Sequence, residues 1–371
     1  MSENRFSNSI TATLKASLSI FNRDETTNTY FFSVKQNNFY SEASLTAHAG
    51  KHIIVSGINV TGDVFKPSAE TPAPVGSFSN TTMGVFIQDT WKLLESTKLE
   101  AGLRADHHND YGNFVLPRIA LFHHFNEAWG ARLGFGMGYK TPNPLTPQIK
   151  DYDIYNIQPL AANVTAEKSI GANIEVNYKK EFGDGNSFFI NHAFFITNIS
   201  DPIIATEDIT GNVSFANQSK AIVTKGFDTY IQMELHHWEL YLGYTFTDAQ
   251  RKYLSQNKFM LLTPRNRAVS VIAYEIEGKW RFGIEGSYTG CQFREDYSKT
   301  PGYLFVAAMI EKKLGPKWSI VLNCENLLDK RQSKYESLYT GTVADPSFKA
   351  LWAPIDGRVI NMSVRFKPFE K

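Results

Sequence analysis

Histidine is the first residue type to test for chemistry here, because six of the nine histidines form adjacent pairs, His107-His108, His123-His124 and His236-His237, and imidazole is the commonest metal ligand. Neighbours on a strand point to opposite faces, so such a pair closes on one ion only within a loop. His123-His124 and His236-His237 fall at short turns and read as turn or interface residues. His107-His108, within Arg104-Ala-Asp-His-His-Asn-Asp-Tyr111 at an outer loop, is the one pair whose setting permits a metal hypothesis, and solvated loop residues remain the expected reading. Asp106, Asp110, Asp151 and Asp153 do not match the D-x-[DN]-x-[DN]-G spacing of a calcium loop. No G-x-S-x-G, phosphate-binding loop, H-E-x-x-H or dinucleotide fingerprint occurs, so neither catalysis, a resident metal nor a cofactor is expected. Cys291 and Cys324 stand alone, without the C-x-x-C spacing of a redox or zinc site.

The elements that position these residues are legible as strands. Trp129, Ala131, Leu133, Phe135, Met137 and Tyr139 alternate with Gly130, Arg132, Gly134, Gly136, Gly138 and Lys140, which assigns an apolar and a polar face to one strand. Near the C-terminus Ile360, Met362, Val364 and Phe366 alternate with Asn361, Ser363, Arg365 and Lys367. Repeating the test gives strands near 7–22, 34–48, 52–65, 82–94, 98–108, 113–124, 129–140, 164–180, 187–199, 217–235, 238–249, 265–277, 280–292, 303–314, 318–330 and 355–369. These are roughly sixteen, the even number that outer-membrane barrels favour. Helical periodicity is absent, and no apolar run reaches the ~18 residues of a helical span. The net charge of +1 and the lack of a basic patch argue against a nucleic-acid partner.

Connections alternate in length. Residues 49–51, 95–97, 183–186, 277–279 and 315–317 are short turns, whereas 66–81, 141–163, 200–216, 250–264 and 331–354 are long. Transmembrane barrels keep this parity, with short periplasmic turns and long outer loops. Trp91, Trp129, Trp238, Trp280 and Trp318 lie close to short turns, as an interfacial aromatic girdle requires. In the long loops Tyr152, Tyr155 and Trp352 are the candidate ligand contacts, because rigid aromatic rings give contact area at low entropic cost; loop packing is the alternative. Lumen-facing Arg132, Lys140 and Arg365 either attract an anionic ligand or hydrate the lumen.

Several segments resemble the TonB-dependent outer-membrane receptors, particularly the nutrient receptors of Bacteroidetes. They are Val85-Phe-Ile-Gln-Asp-Thr-Trp-Lys-Leu93, Leu116-Pro-Arg-Ile-Ala-Leu121, Gly138-Tyr-Lys-Thr-Pro142, Glu167-Lys-Ser-Ile-Gly171, Thr224-Lys-Gly-Phe-Asp228, Gly243-Tyr-Thr-Phe-Thr-Asp248 and Leu262-Thr-Pro-Arg-Asn-Arg267. Cys324-Glu-Asn-Leu-Leu-Asp-Lys330 resembles the family's N-L-x-D-K segment before the last outer loop. The resemblance implies an all-β, transmembrane antiparallel β-barrel, with residues 1–371 forming roughly the last sixteen strands of a barrel of about 22 strands. The plug domain, the TonB-contact segment, the signal peptide and the first strands are expected upstream of Met1.

The implied function is uptake of a scarce nutrient, such as a siderophore or other large solute. Its partners are outer-membrane lipid, the nutrient, and a TonB complex acting through the plug. A passive sixteen-stranded porin is the alternative, and a secreted β-rich adhesion or carbohydrate-binding protein is a third class. An upstream plug-coding frame separates the first from the second, and solubility without detergent marks the third.

Overall fold

The computed structural model describes residues 2–7, 9–26, 31–69, 75–146, 154–183, 185–343 and 346–368. In chain order their strands are β1 (Ser2–Ser7), β2 (Ile10–Thr26), β3 (Phe31–Ala49), β4 (His52–Pro67), β5 (Phe78–Leu94), β6 (Thr97–His108), β7 (Gly112–His124), β8 (Trp129–Lys140), β9 (Glu167–Gly183), β10 (Asn186–Ser200), β11 (Ile203–Glu207), β12 (Val213–Asn217), β13 (Ile222–Leu235), β14 (Trp238–Arg251), β15 (Asn266–Ile276), β16 (Trp280–Thr289), β17 (Tyr303–Lys313), β18 (Trp318–Glu325), β19 (Tyr339–Gly341), β20 (Pro346–Phe348) and β21 (Val359–Phe366). Among the described residues the only helices are single 3-10 turns at Ile154–Asn156 and Gln332–Lys334, and no helix is long and apolar enough to cross a membrane.

Every segment expected to be a strand contains one. Three features go beyond the expectation: β1, which pairs with β2, and the loop hairpins β11–β12 and β19–β20. The strand expected from 217 starts at Ile222, because residue 217 closes the β11–β12 hairpin. The strand expected over 318–330 ends at Glu325, because Asn326 takes a left-handed φ of 49°, which no strand continues through.

The chain divides into two compact units, the first comprising Met1–His123, Arg132–Asn173 and Thr197–Val223, the second His124–Ala131, Ile174–Ile196 and Thr224–Lys371. In the first, β1 to β7 form a consecutive antiparallel meander. Its register aligns Ala43, Ile58, Val85, Ala105 and Val115 across five strands, and Ile58, Val85 and Val115 are 61%, 56% and 59% exposed. One residue along, Glu42, Asn59, Gly84, Asp106 and Phe114 align on the opposite face, where Asn59, Asp106 and Phe114 are buried. Apolar side chains face outward and polar ones inward, the inverse of a soluble sheet and the pattern that hydrocarbon selects.

The second unit repeats this logic over β14 to β18 and β21. Phe282, Ile310, Leu322 and Met362 align on its exposed face, and Arg281, Glu311, Val321 and Ser363 on the other. Trp91 in the first unit and Trp129, Trp238 and Trp318 in the second are exposed at the short-turn ends of their strands, as amphipathic indoles at a headgroup boundary should be. Trp280 is half-buried, with the Lys312 ammonium 4.8 Å from its ring.

Tyr139 departs from the sequence reading. Strict alternation places it with Met137 on the apolar face, yet its ring stacks on buried Phe114 at 3.7 Å and its hydroxyl donates to Asp106 Oδ2 at 2.9 Å. Burying a phenol with a carboxylate acceptor stabilises this end of β8 more than pleat parity does.

Candidate functional site

The inward face of β2 to β6 is built in three layers, set by register. Nearest the short turns is a charged layer. Lys15 pairs with Glu42 at 2.8 Å, Tyr40 donates to Glu42 at 2.5 Å, and Arg104 binds both Asp106 at 2.8 Å and the Asn59 side-chain oxygen at 3.0 Å. Gly84 lies beneath this cluster, because a Cβ there would meet Asp106 Oδ1 at 2.3 Å and Asn59 Oδ1 at 2.4 Å. Glycine is therefore required for space rather than for backbone freedom.

The next layer carries hydroxyls and amides. Two adjacent cross-strand rows supply it: Ser17, Tyr40, Thr61, Thr82 and His108, then Ser19, Asn38, Asp63 and Asn80. They line a cavity of about 480 Å³ closed on one side by Thr141 and Asn143. Within it Asn80 donates to Asp63 Oδ1 at 3.1 Å.

Farthest from the short turns is an aromatic layer. Phe21, Gln36, Phe65 and Phe78 share one register row, and Phe65 stacks on Phe78 at 4.8 Å. With Arg23, Phe32 and Val34, the residues Phe21, Gln36 and Phe65 of this row border a second cavity of about 460 Å³, roofed by Leu145, Ile154 and Ile157, and Gln36 borders both cavities. The roof belongs to an apolar cluster in which Phe32, Phe65, Val75, Ile157, Val164, Ile203 and Phe215 are buried. Ile157 bridges to Val213, and the Gln158 N–H donates to the Val213 carbonyl at 2.9 Å. Described parts of the long connections of this unit, around Val75, Ile157 and Val213–Phe215, thus pack together over the aromatic layer. The sequence signal was the alternation of Val213 and Phe215 with Ser214 and Ala216, next to a turn at Gly211, a short hairpin motif inside a segment read only as loop.

The residues singled out from the sequence are dispersed. His107 and His108 end β6 on opposite faces. Exposed His107 shares a hydrogen bond with Asn113 at 2.8 Å, whereas His108 is 1% exposed and its Nδ1 accepts the Asp110 N–H at 3.1 Å. Their loop is only the turn 109–111, between strands that the sequence reading ended at 108 and began at 113. His123 shares a hydrogen bond with Thr97 Oγ1 at 2.8 Å, and His236 holds a turn with φ 55°. Tyr155 is 56% exposed in the 3-10 turn between Ile154 and Ile157, at the edge of the aromatic layer's roof. Tyr152, Asp151 and Asp153 lie outside the described residues.

Trp352 is 4% exposed and organises the last long loop in the second unit. Its indole N–H donates to Glu336 at 2.6 Å, its backbone N–H to Gln332 Oε1 at 2.9 Å, and its carbonyl accepts from Gln292 Nε2 at 3.0 Å. Tyr303 and Tyr335 flank the ring, and the Arg294 guanidinium lies 5.8 Å from its centre. Glu336 loses some acidity to burial, but the hydrogen bonds from Trp352 and Lys349 and the charge of Arg294 outweigh this and hold its carboxyl below the ordinary value. Of the expected inward cations, Lys140 sits 3.7 Å from Glu167 and Arg365 3.7 Å from Glu311, so each has a carboxylate neighbour.

Sequence reasoning missed the structural role of the Cys324–Lys330 segment. Asn326 is 2% exposed; its amide donates to the Lys330 and Asp356 carbonyls, both at 2.9 Å, and its oxygen accepts the Lys330 N–H at 2.8 Å. It staples the two ends of the last long loop. In the same unit Arg265 lies over Phe246 and Phe259, 5.3 and 4.9 Å from their ring centres, and 3.9 Å from Asp248. That contact joins two segments quoted above for their resemblance.

Residues 2–327 match the family model described as TonB dependent receptor-like, beta-barrel. The vitamin B12 transporter BtuB of Vibrio cholerae is 23% identical over 259 residues, 68% of this chain and 39% of that protein. The iron-regulated outer membrane virulence protein of the same species is 26% identical over 106 residues, 28% of this chain and 16% of that protein. Among solved structures, the ferric enterobactin receptor PfeA of Pseudomonas aeruginosa superposes with a TM-score of 0.76 at 16% identity, over 98% of this chain and 60% of that one. The siderophore receptor PirA of Acinetobacter baumannii gives 0.71 at 14% identity, over 98% and 61%. The chain therefore spans less than two thirds of the length of these relatives.

Proposed function

Because this chain belongs to the TonB-dependent receptor-like β-barrel family, we propose that it forms the barrel portion of an outer-membrane receptor importing a scarce solute with force from a TonB complex. The carrying observation is the inverted face pattern, in which Ile58, Val85 and Val115 form an exposed apolar row beside the buried polar row of Asn59 and Asp106. Apolar atoms exposed along successive strands are stable against lipid and costly against water. The layered inward face then serves as the wall past which solute travels, with the aromatic and polar cavities at its loop-side end. The names of the relatives, which include a vitamin B12 transporter and ferric enterobactin receptors, support a small-molecule nutrient as cargo. Their family match runs to receptors rather than to porins, which favours energised uptake over passive leakage.

The test is nutrient-limited growth of the encoding bacterium with this gene disrupted, compared with disruption of tonB. Equal loss of uptake in both strains is expected, with the protein in the outer-membrane fraction. Uptake that survives tonB disruption but not loss of this gene would establish passive diffusion and overturn the reading.

A further inference from the structure

The outward face of the first unit carries two cations where its apolar band ends. On β2 the outward residues are Ile10, Ala12, Leu14, Ala16, Leu18 and Ile20, apolar without a break, and the next is Asn22. Ten residues of strand at about 3.4 Å each, tilted by roughly 40°, rise about 25 Å, the height of the apolar band of an outer-membrane barrel. Register carries this boundary across two more strands. Ile20, Asn37 and Val64 share the last outward row below it, and Asn22, Lys35 and Lys66 share the first outward row above it. Lys35 and Lys66 are exposed, whereas their chain neighbours Val34 and Phe65 are buried on the inward face. Both ammonium groups therefore stand on the lipid side, at headgroup level.

Lys35 and Lys66 are directly opposed across β3 and β4. Like charges in that position repel and weaken a sheet, and an anion between them reverses the sign of the interaction. Inward cations of this unit have carboxylate partners, Lys15 with Glu42 and Arg23 with Glu25. Among the described residues no carboxylate is ion-paired with either outward lysine. Asp24, in the next outward row, lies opposite Ser33 and pairs with neither. A phosphate suits the gap, because several of its oxygens can accept from both ammonium groups at once and lysine meets it as a compact charge on a flexible stem. The surface directly below is apolar: Leu18 and Ile20 are exposed, and the Phe39 ring lies over Gly62, where an added Cβ would meet its Cζ at 2.6 Å. A free anion would use the lysines alone, whereas a lipid uses both parts, its headgroup on the cations and its acyl chains along the apolar rows.

We propose that Lys35 and Lys66 form a docking site for the phosphate of an outer-leaflet lipid headgroup. The site is separate from solute uptake and depends only on this face meeting lipid with the long loops outside.

The purified receptor in detergent is titrated with lipid A, a phosphate-bearing outer-leaflet lipid, with the same lipid after dephosphorylation, and with inorganic phosphate, and bound lipid is read by native mass spectrometry. Lys35→Gln and Lys66→Gln should each weaken binding of the phosphorylated lipid about fivefold, and together about twenty-five-fold, the usual contribution of a lysine at an anionic lipid surface. Dephosphorylation forfeits both contacts and should cost the intact protein the same factor of about twenty-five. Inorganic phosphate at equal concentration should leave the lipid bound, and heat-dependent gel mobility verifies that the variants fold. Equal binding of the two lipid forms, or undiminished binding by the folded double variant, would overturn the proposal. Displacement by equimolar inorganic phosphate would reveal a site for free anions and overturn it as well.

Discussion

Gly84 concentrates the packing argument in one hydrogen atom. Replacing it with alanine puts a methyl group within 2.3 Å of Asp106 Oδ1, 2.4 Å of Asn59 Oδ1 and 2.6 Å of Arg104 Nη2. The atoms that must yield are side-chain termini, but two belong to short, buried side chains bonded to the same guanidinium. Arg104, whose side chain is 33% exposed, is the group able to swing away. Doing so strips its charge-assisted bond from Asp106, worth about 1.5–3 kcal/mol when buried, and leaves that carboxylate held by Tyr139 alone. Gly84→Ala should therefore destabilise the protein by about 2–3 kcal/mol, read as a shifted denaturant midpoint in detergent. Asp106→Ala opens the space that the methyl group needs, so the double variant should recover at least about 1 kcal/mol relative to additivity. Strictly additive effects, or a Gly84→Ala cost below about 0.5 kcal/mol, would refute the claim that this glycine exists to admit the cluster.

Val85, one residue away on the opposite face, should tolerate alanine but lose about 2–4 kcal/mol on replacement by arginine, if it sits near the bilayer midplane; Gln88→Arg on the inward face should stay within about 0.5 kcal/mol, measured by folding equilibria in lipid vesicles. At Asn326, glycine preserves the positive φ and loses the side-chain staple, whereas alanine loses both. Alanine should cost about 1 kcal/mol more than glycine, seen as faster proteolysis of residues 331–354. The lowered pKa of Glu336 means that the loop carries stability above the ordinary carboxylate range and loses it as pH falls through the lowered value. Fluorescence of Trp352, isolated by difference from Trp352→Phe, should therefore change on acidification below about pH 4.5 and not between pH 6 and 8; a transition centred near neutrality would contradict the assignment.

The strands were legible because a sheet that meets lipid on one side and polar groups on the other repeats the same choice every second residue. The Trp129–Lys140 segment illustrates both the strength and the limit of that rule. From Trp129 to Met137 the exposed residues are those that alternation assigned, and then Tyr139 turns inward because Phe114 and Asp106, far away in sequence, offer its ring a stacking partner and its hydroxyl an acceptor. No local pattern carries that information. The same holds for the loops: Trp352 was singled out as an aromatic in an outer loop, but its burial against Gln332, Glu336 and Gln292 depends on residues 16 to 60 positions away.

Register is the quantity that converts strands into a site, and it is absent from single-strand reasoning. Ser17, Tyr40, Thr61, Thr82 and His108 are individually unremarkable polar positions on five strands. They become one row only through the pairings from β2 to β6, which fix how each strand slides past the next. A slip of one residue anywhere in the series would send His108 to the apolar face and its exposed neighbour His107 inward. Register is therefore as much a determinant of the inward face as the side chains are, because it decides which polar groups share a layer.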